Sequence, residues 1–252
     1  MAKVNCKLCG GTGWTVVEHD GSSIAERCTC IAATRAEELE GRAQIPKKYR
    51  DASLDNFHVP QDNPIASVEL QRIKSIVRGY AQEYPHLSKP GLLLAGPTGT
   101  GKTHLAVAAL RSLISRGHEA IFFDYQNLLE RIRSGYSETL GTSNREAYGV
   151  ALETEILLLD DLGAHRVTDW VEDTVTAIVT YRYNHRKPLI ATTNLSDPNI
   201  GGPLTDRSDL SRTHSARTTL EDRIGERARS RLFEMCKVVQ TWALEDYRVP
   251  RR

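Results

Sequence analysis

The sequence predicts an α/β fold, a parallel sheet flanked by helices, with a small cysteine-bearing β-hairpin module in front of it. Three observations lead there. From about residue 66, short apolar runs alternate with segments of helical apolar spacing, the pattern of strands buried on both faces and joined by crossover helices. A glycine-rich loop stands between one such run, Leu92–Ala95, and the helical segment that follows. Four of the five cysteines lie within the first thirty residues. A chain of 252 residues suits one large domain, or a medium domain with a small appendage.

Taken in order, residues 1–44 form the N-terminal module. Its cysteines, Cys6, Cys9, Cys28 and Cys30, read C-x2-C-x18-C-x-C. No apolar h-region follows Met1, so no export signal is expected, and cysteines in a cytoplasmic chain are read as metal ligands before disulfides. Thiolates hold Zn2+ tetrahedrally, and a C-x2-C turn presents two of them to one ion. Between the pairs, Trp14–Val17 and Ser23–Glu26 flank Asp20-Gly21, a hairpin turn signal. A turn centred there pairs Gly13 with Cys28 and brings the two cysteine pairs together. Four free thiols are the alternative. Residues 31–44 read as a short Ala- and Glu-rich helix. Residues 45–65 carry Pro46, Pro60 and Pro64 among polar residues and read as a linker.

Residues 66–252 read as the α/β domain. Val68, Ile73, Ile76, Val77 and Tyr80 have helical spacing. Strands are expected at Leu92–Ala95, Ala120–Phe123, Ile156–Asp160, Leu189–Thr193 and Val238–Trp242. Helices are expected after the glycine-rich loop through about Arg116, and over Asn127–Arg133, Trp170–Arg186 and Leu220–Met235. Residues 197–218, rich in Asp, Ser, Thr and Gly, read as a long mobile loop. Cys236 falls in an apolar stripe and reads as a small core residue.

The composition narrows the function classes. Hydrophobic residues make up 40% and charged residues 26%, ordinary for a globular chain and wrong for disorder. No apolar run is long enough to cross a bilayer. Lys plus Arg is 33 against 32 for Asp plus Glu, a net charge of +1. That excludes a uniformly basic nucleic-acid coat and leaves room for a local patch. Arg182, His185, Arg186 and Lys187 are the basic candidates for such a patch, with a solvated helix end as the alternative.

Gly96-Pro97-Thr98-Gly99-Thr100-Gly101-Lys102-Thr103 fits G-x-x-x-x-G-K-[ST] between a strand and a helix. Backbone N–H groups of such a loop cradle phosphate oxygens, so the loop and the next residue, His104, form a candidate site for ATP or GTP. Lys102 would meet the β- and γ-phosphates, and the Thr103 hydroxyl would bind Mg2+. Ile156–Leu159 then delivers Asp160 and Asp161 to the carboxyl edge of the sheet. Asp160 is the Mg2+-side carboxylate. Asp161 is placed to polarise an attacking water, or else caps a helix. Asn194, at the end of the fourth strand, would orient that water, or else forms a turn. Arg223, Arg227 and Arg231 are spaced i, i+4, i+8 and are expected on one helix face. They read as arginine fingers reaching a neighbour's γ-phosphate, or as a solvated basic face.

With these motifs in place, the chain resembles AAA+ ATPases of the DnaC/DnaI helicase-loader family. The matching text is GLLLAGPTGTGKTHLA (91–106), ILLLDDLGAHRVTDW (156–170), YRYNHRKPLIATTNLS (181–196) and IGERARSRLFEM (224–235). The resemblance spans roughly residues 45–252 and extends to the insertion-sequence helper ATPase IstB. It implies a P-loop NTPase core that binds ATP with Mg2+, and a homo-oligomer when ATP is bound. The implied partners are a replicative helicase and single-stranded DNA. A transposition helper acting with a transposase is the second reading, and the zinc hairpin favours the loader. The family's finger motif falls on Arg231 in Ser230-Arg231-Leu232, with Arg227 second. Two departures stand out. Many AAA+ enzymes have Asp-Glu where this chain has Asp160-Asp161, which bears on hydrolysis and leaves a non-hydrolysing adaptor open. Only ten residues follow Trp242, so no C-terminal helical lid is expected. A small-molecule kinase is disfavoured, because it needs neither Asn194 nor the arginines in this arrangement.

Overall fold

The computed structural model describes residues 5–19, 22–58, 63–134, 143–197 and 218–241. Five parallel strands form the central sheet: β3 (Gly91–Ala95), β4 (Ala120–Asp124), β5 (Ile156–Asp160), β6 (Leu189–Thr193) and β7 (Cys236–Gln240), in the order β4-β5-β6-β3-β7. A separate antiparallel hairpin comprises β1 (Trp14–His19) and β2 (Ser22–Arg27). The helices are α1 (Thr29–Arg42), α2 (Pro64–Glu83), α3 (Lys102–Ser115), α4 (Tyr125–Ser134), α5 (Ser143–Glu153), α6 (Asp169–Asn184), α7 (Glu221–Ile224) and α8 (Glu226–Met235).

The strands are continuous apolar runs because both faces of the sheet are covered. Leu92 and Leu94 point into the core that holds α2 and α3, whereas Leu93 and Ala95 point into the core that holds α4, α6 and α8. The period of two along β3 thus divides its side chains between two layers. The helix starts follow local chemistry. Asn63 caps α2 by accepting from Ala66 N at 3.1 Å, with Pro64 at the first turn, and Thr168 caps α6 through Val171 N.

Four expectations are corrected. The first concerns residues 45–58, which are not a free linker. Ile45, Ala52 and Phe57 are buried in the α2–α3 core, and a 3-10 turn occupies Lys47–Tyr49. Ile45 and Phe57 each contribute roughly 1.5–3 kcal/mol on full burial, which favours a packed strap over a free linker. The strap is also hydrogen-bonded to α3: His104 Nε2 donates to Ser53 O at 2.9 Å, and Arg111 Nη1 to Ala52 O at 2.8 Å. Just upstream, Ala43 O accepts from Phe122 N at 2.8 Å and so occupies part of the open edge of β4.

The second correction is that the helix expected over 220–235 breaks at Gly225, whose φ of +79° suits glycine. Arg223 therefore lies on α7, apart from the α8 face that carries Arg227 and Arg231. Third, α1 starts at Thr29, two residues earlier than expected, so Cys30 sits in its first turn. The fourth correction is Arg182, which is fully buried. Its guanidinium donates to the carbonyls of Ala151, Leu152, Glu155 and Pro188 at 2.7–3.2 Å. It caps the C-terminal end of α5 and is closed to DNA. The expected turn at 20–21, most of the loop expected over 197–218 and the tail from Trp242 onward lie outside the described residues.

Arg182→Met should lower the unfolding free energy by about 3 kcal/mol or more, because buried carbonyls lose a charged donor. Urea denaturation of the full chain measures this. The nucleotide affinity of the folded variant should stay near that of the parent.

Candidate functional site

The phosphate loop connects β3 to α3, and its backbone is shaped by what lies beneath it. Gly101 has φ +84°, and a Cβ there would lie 2.5 Å from the Phe57 ring. A Cβ at Gly96 would collide with the Thr241 hydroxyl. Thr241 sits under the loop, its hydroxyl 2.8 Å from that of Thr100 and its N–H donating to Ala95 O at 2.8 Å. Glycine is required at both positions by close approach. Lys102 is buried at the start of α3, and its ammonium donates to Pro97 O at 2.6 Å.

Two strands away, β5 ends in the carboxylates. Thr192 of β6 donates to Asp160 Oδ1 at 2.7 Å and accepts from Asp161 N at 2.9 Å. Asp161 takes φ +55° and stays exposed, while Asp160 is 7% exposed. Burial pushes the Asp160 carboxyl up to about 6. The neighbouring Asp161 and Asp124 charges add to this, and hydrogen bonds from Thr192 and Thr103 oppose it. Hard oxygen ligands whose mutual repulsion is unmet suit a divalent cation, so the donor set of Thr103 and Asp160 fits Mg2+.

Thr98, Gly99, Gly101, Lys102, Thr103, His104, Asp161 and Asn194 line one cavity of about 490 Å3. Sequence reasoning missed the rest of its wall: Lys48, Tyr49, Asn56, Phe57 and His58 all come from the strap. The only signal there was two aromatics in a proline-punctuated stretch with no helical or strand period. Thr241 was missed for the same reason, since it is local to nothing but the end of a strand.

The structure does not bring the arginines to this cavity. Arg227 and Arg231 line a separate groove of about 560 Å3 with Tyr181, Asn184 and His185 at the end of α6. This groove runs along α6, from Asp173 near its start to His185 just past its end, and shares no lining residue with the phosphate-loop cavity. Arg223 turns inward, donating to His165 O at 3.1 Å.

In the N-terminal module, Trp14 pairs with Arg27 and Cys28 N donates to Gly13 O at 2.8 Å, the register that the cysteine spacing requires. The Sγ atoms of Cys6, Cys9, Cys28 and Cys30 all lie within 4.8 Å of one another. Cys6–Cys28 is 3.7 Å and Cys9–Cys30 is 3.6 Å. Disulfide sulfurs sit about 2.05 Å apart, whereas a tetrahedral Zn–S distance of about 2.3 Å puts sulfurs about 3.8 Å apart. Burial would raise the Cys9 thiol, yet the Gly13 and Gly11 N–H groups and the neighbouring cysteines bring it down to about 6. The donor set therefore fits Zn2+. Around it Leu8, Trp14 and Val16 are exposed by 72%, 51% and 73%, an apolar surface that the hairpin leaves uncovered.

Comparison with known proteins places this geometry. The family model described as IstB-like ATP binding protein matches residues 85–208. The Phage-like element PBSX protein XkdC of Bacillus subtilis (strain 168) is 24% identical over 201 residues, covering 77% of this chain and 73% of that protein. The replicative helicase loader DnaC of Buchnera aphidicola subsp. Acyrthosiphon pisum (strain APS) is 21% identical over 175 residues, 69% of this chain and 68% of its own. A crystal structure of the DnaC helicase loader superposes with a TM-score of 0.60 at 31% identity, covering 77% of this chain and 99% of that one. With that identity over nearly the whole of the DnaC structure, and a phosphate loop on the same parallel α/β core, this chain belongs to the DnaC-type, IstB-like family of AAA+ P-loop ATPases.

Proposed function

We propose that this chain is an ATP-dependent loader that places a replicative helicase on single-stranded DNA, with ATP binding and hydrolysis switching its assembly. The observation that carries the reading is the pairing of a cavity that joins the phosphate loop to Asp161 and Asn194 with a four-cysteine module that exposes Leu8, Trp14 and Val16. The first is a switch and the second is a docking element. The second also favours the loader over a transposition helper.

In this reading the loop amides and Lys102 bind the phosphates, while Thr103 and Asp160 hold Mg2+, which neutralises phosphate charge when bound. Asp161 polarises the attacking water, and Asn194 orients it by hydrogen bonding. Arg231, and secondarily Arg227, reach the γ-phosphate bound by a second copy, because their groove lies away from their own cavity. The ATP-bound form is then a homo-oligomer. Contact with DNA is through backbone charge, weak in sequence preference and sensitive to salt. His185, Arg186 and Lys187 remain the basic candidates. Cys6, Cys9, Cys28 and Cys30 hold one structural Zn2+.

The loader reading is tested by co-purification of the full chain with its replicative helicase, with and without ATP. The complex should form and respond to ATP. Trp14→Ser should weaken it about tenfold or more, the scale of losing one buried aromatic anchor, with nucleotide affinity unchanged. Retention of a transposase in place of the helicase would overturn the reading.

Elemental analysis of the purified chain should return one zinc per polypeptide. Cys9→Ser should lose most of it, and the lost order should be confined to residues 1–30. A folded, zinc-free parent protein would contradict the assignment.

Lys102→Ala should abolish tight ATP binding. Arg231→Ala should bind ATP near normally as a monomer but lose hydrolysis and ATP-dependent self-association. Asp161→Ala should bind and assemble without turnover. Mixing the last two variants should restore part of the ATPase activity, because some interfaces then join an intact Arg231 to an intact Asp161. Mixed oligomers that form and stay inactive would reject action in trans.

A further inference from the structure

Residues 227, 229 and 231 alternate across α8. Side chains two positions apart on an α-helix point about 200° apart, so Arg227 and Arg231 share the face that lines the groove with Tyr181 and His185, and Arg229 faces the other way. There its guanidinium forms a two-pronged pair with Asp197, Nε to Oδ2 at 2.6 Å and Nη2 to Oδ1 at 2.7 Å. The Asp197 carboxylate is fully buried and the Arg229 side chain is 15% exposed. A fork-to-fork pair of this kind fixes direction as well as distance. Phe233, one turn further on, stacks under the same guanidinium at 4.8 Å.

Asp197 is three residues from Asn194, on the segment that leaves β6. That segment is held from the same side along its length. Ser196 forms a parallel bridge with Thr219, and its carbonyl accepts from Leu220 N at 2.9 Å. Leu195 packs against Gly163 so closely that a Cβ there would lie 2.5 Å from Leu195 Cδ1 and 3.2 Å from Arg223 Cβ. Gly163 stands two residues after Asp161, and Arg223 ties the same turn down through His165 O. The chain from 218 to 235 thus grips the segment that carries Asn194 and the turn that carries Asp161 on one side. On the other it presents Arg227 and Arg231 to the groove.

We propose that Arg229, through Asp197, is a positioning residue that sets Asn194 at the γ-phosphate. In this role it makes the placement of Asn194 depend on the seating of α8, the helix that carries the arginines offered to a second copy. The proposal rests on the hydrolytic reading of Asn194 above. Neither Arg229 nor Asp197 lines the nucleotide cavity, so their effect on turnover passes through the loop and not through contact with ATP.

The experiment is a double-mutant cycle on the full chain, reading ATP affinity and single-turnover hydrolysis for Asn194→Ala, Asp197→Asn and the combined variant. Asp197→Asn keeps the side-chain shape and removes the charge. It should leave ATP affinity within about twofold and slow hydrolysis by up to about 100-fold, the cost of a misplaced group. The combined variant should be no slower than Asn194→Ala alone, because both changes remove the same interaction. Losses that multiply, or an ATP affinity that falls in step with hydrolysis, would reduce the pair to a structural brace and overturn the proposal. Hydrolysis unchanged in Asn194→Ala would instead sink the reading of Asn194 itself. If Asp197→Asn does not fold, Arg229→Lys replaces it in the cycle, since lysine keeps the charge but cannot make the two-pronged contact, and the same outcomes decide.

Discussion

The hydroxyl of Thr192 donates to Asp160 Oδ1 at 2.7 Å and accepts from Asp161 N at 2.9 Å, so one side chain on β6 fixes the Asp160 carboxylate and the Asp161 backbone at the end of β5. That contact exists only because β5 and β6 are neighbours in parallel register, with Leu159 opposite Ala191. On the other side of β6 lies β3, with Ala95 opposite Thr193 and Gly96 N donating to Thr193 O at 3.1 Å. Three strands that are far apart in sequence therefore end on one line, and the phosphate loop, Asn194 and Asp161 share a cavity, with Asp160 buried beside it. Burying Asp160 at that line raises its carboxyl to about 6, the electrostatic cost of assembling a site whose charge a cation would meet.

From this edge the structure extends in two directions through helices that do double duty. Helix α3 begins at the phosphate loop and binds the strap along its length, through His104 to Ser53 O and Arg111 to Ala52 O, and Arg111 also reaches Glu40 of α1. The strap forms one wall of the nucleotide cavity and continues upstream into α1, whose first turn carries Cys30. The cysteine module is thus joined to the nucleotide edge by bonded structure and not by a tether. Helix α8 packs on α6 with arginines on both faces, and its C-terminal end feeds β7, which puts Thr241 under the phosphate loop. Arg182, buried where four carbonyls converge, is structural.

Features written in local spacing were legible without the structure. The phosphate loop between a strand and a helix, the apolar run ending in Asp160-Asp161, and the hairpin register that brings Cys6 and Cys9 to Cys28 and Cys30 all depend on neighbours within about twenty residues. Local chemistry signals them: a period of two for strands, the Asp-Gly pair as a turn signal in the sequence, and glycine where φ is positive. What misled was also local. Prolines at 46, 60 and 64 resemble a linker, and three arginines at i, i+4, i+8 resemble one helical face.

Sequence by itself determined the fold class, the phosphate loop, the carboxylate pair and the four-cysteine set, because each is a short-range pattern that the backbone reads directly. Only the tertiary structure decided the remainder. It buried Ile45, Ala52 and Phe57 and turned the expected linker into a wall of the cavity. It broke the last helix at Gly225, setting Arg223 apart on the His165 carbonyl while Arg227 and Arg231 line the groove, and it paired Arg229 of the opposite α8 face with Asp197. It also enclosed Arg182 among four carbonyls. The physical reason is the same in each case. Whether an arginine is a finger, a brace or a cap depends on which buried acceptors lie within about 3 Å of its guanidinium, and most of those acceptors come from segments tens of residues away that the tertiary fold brings close.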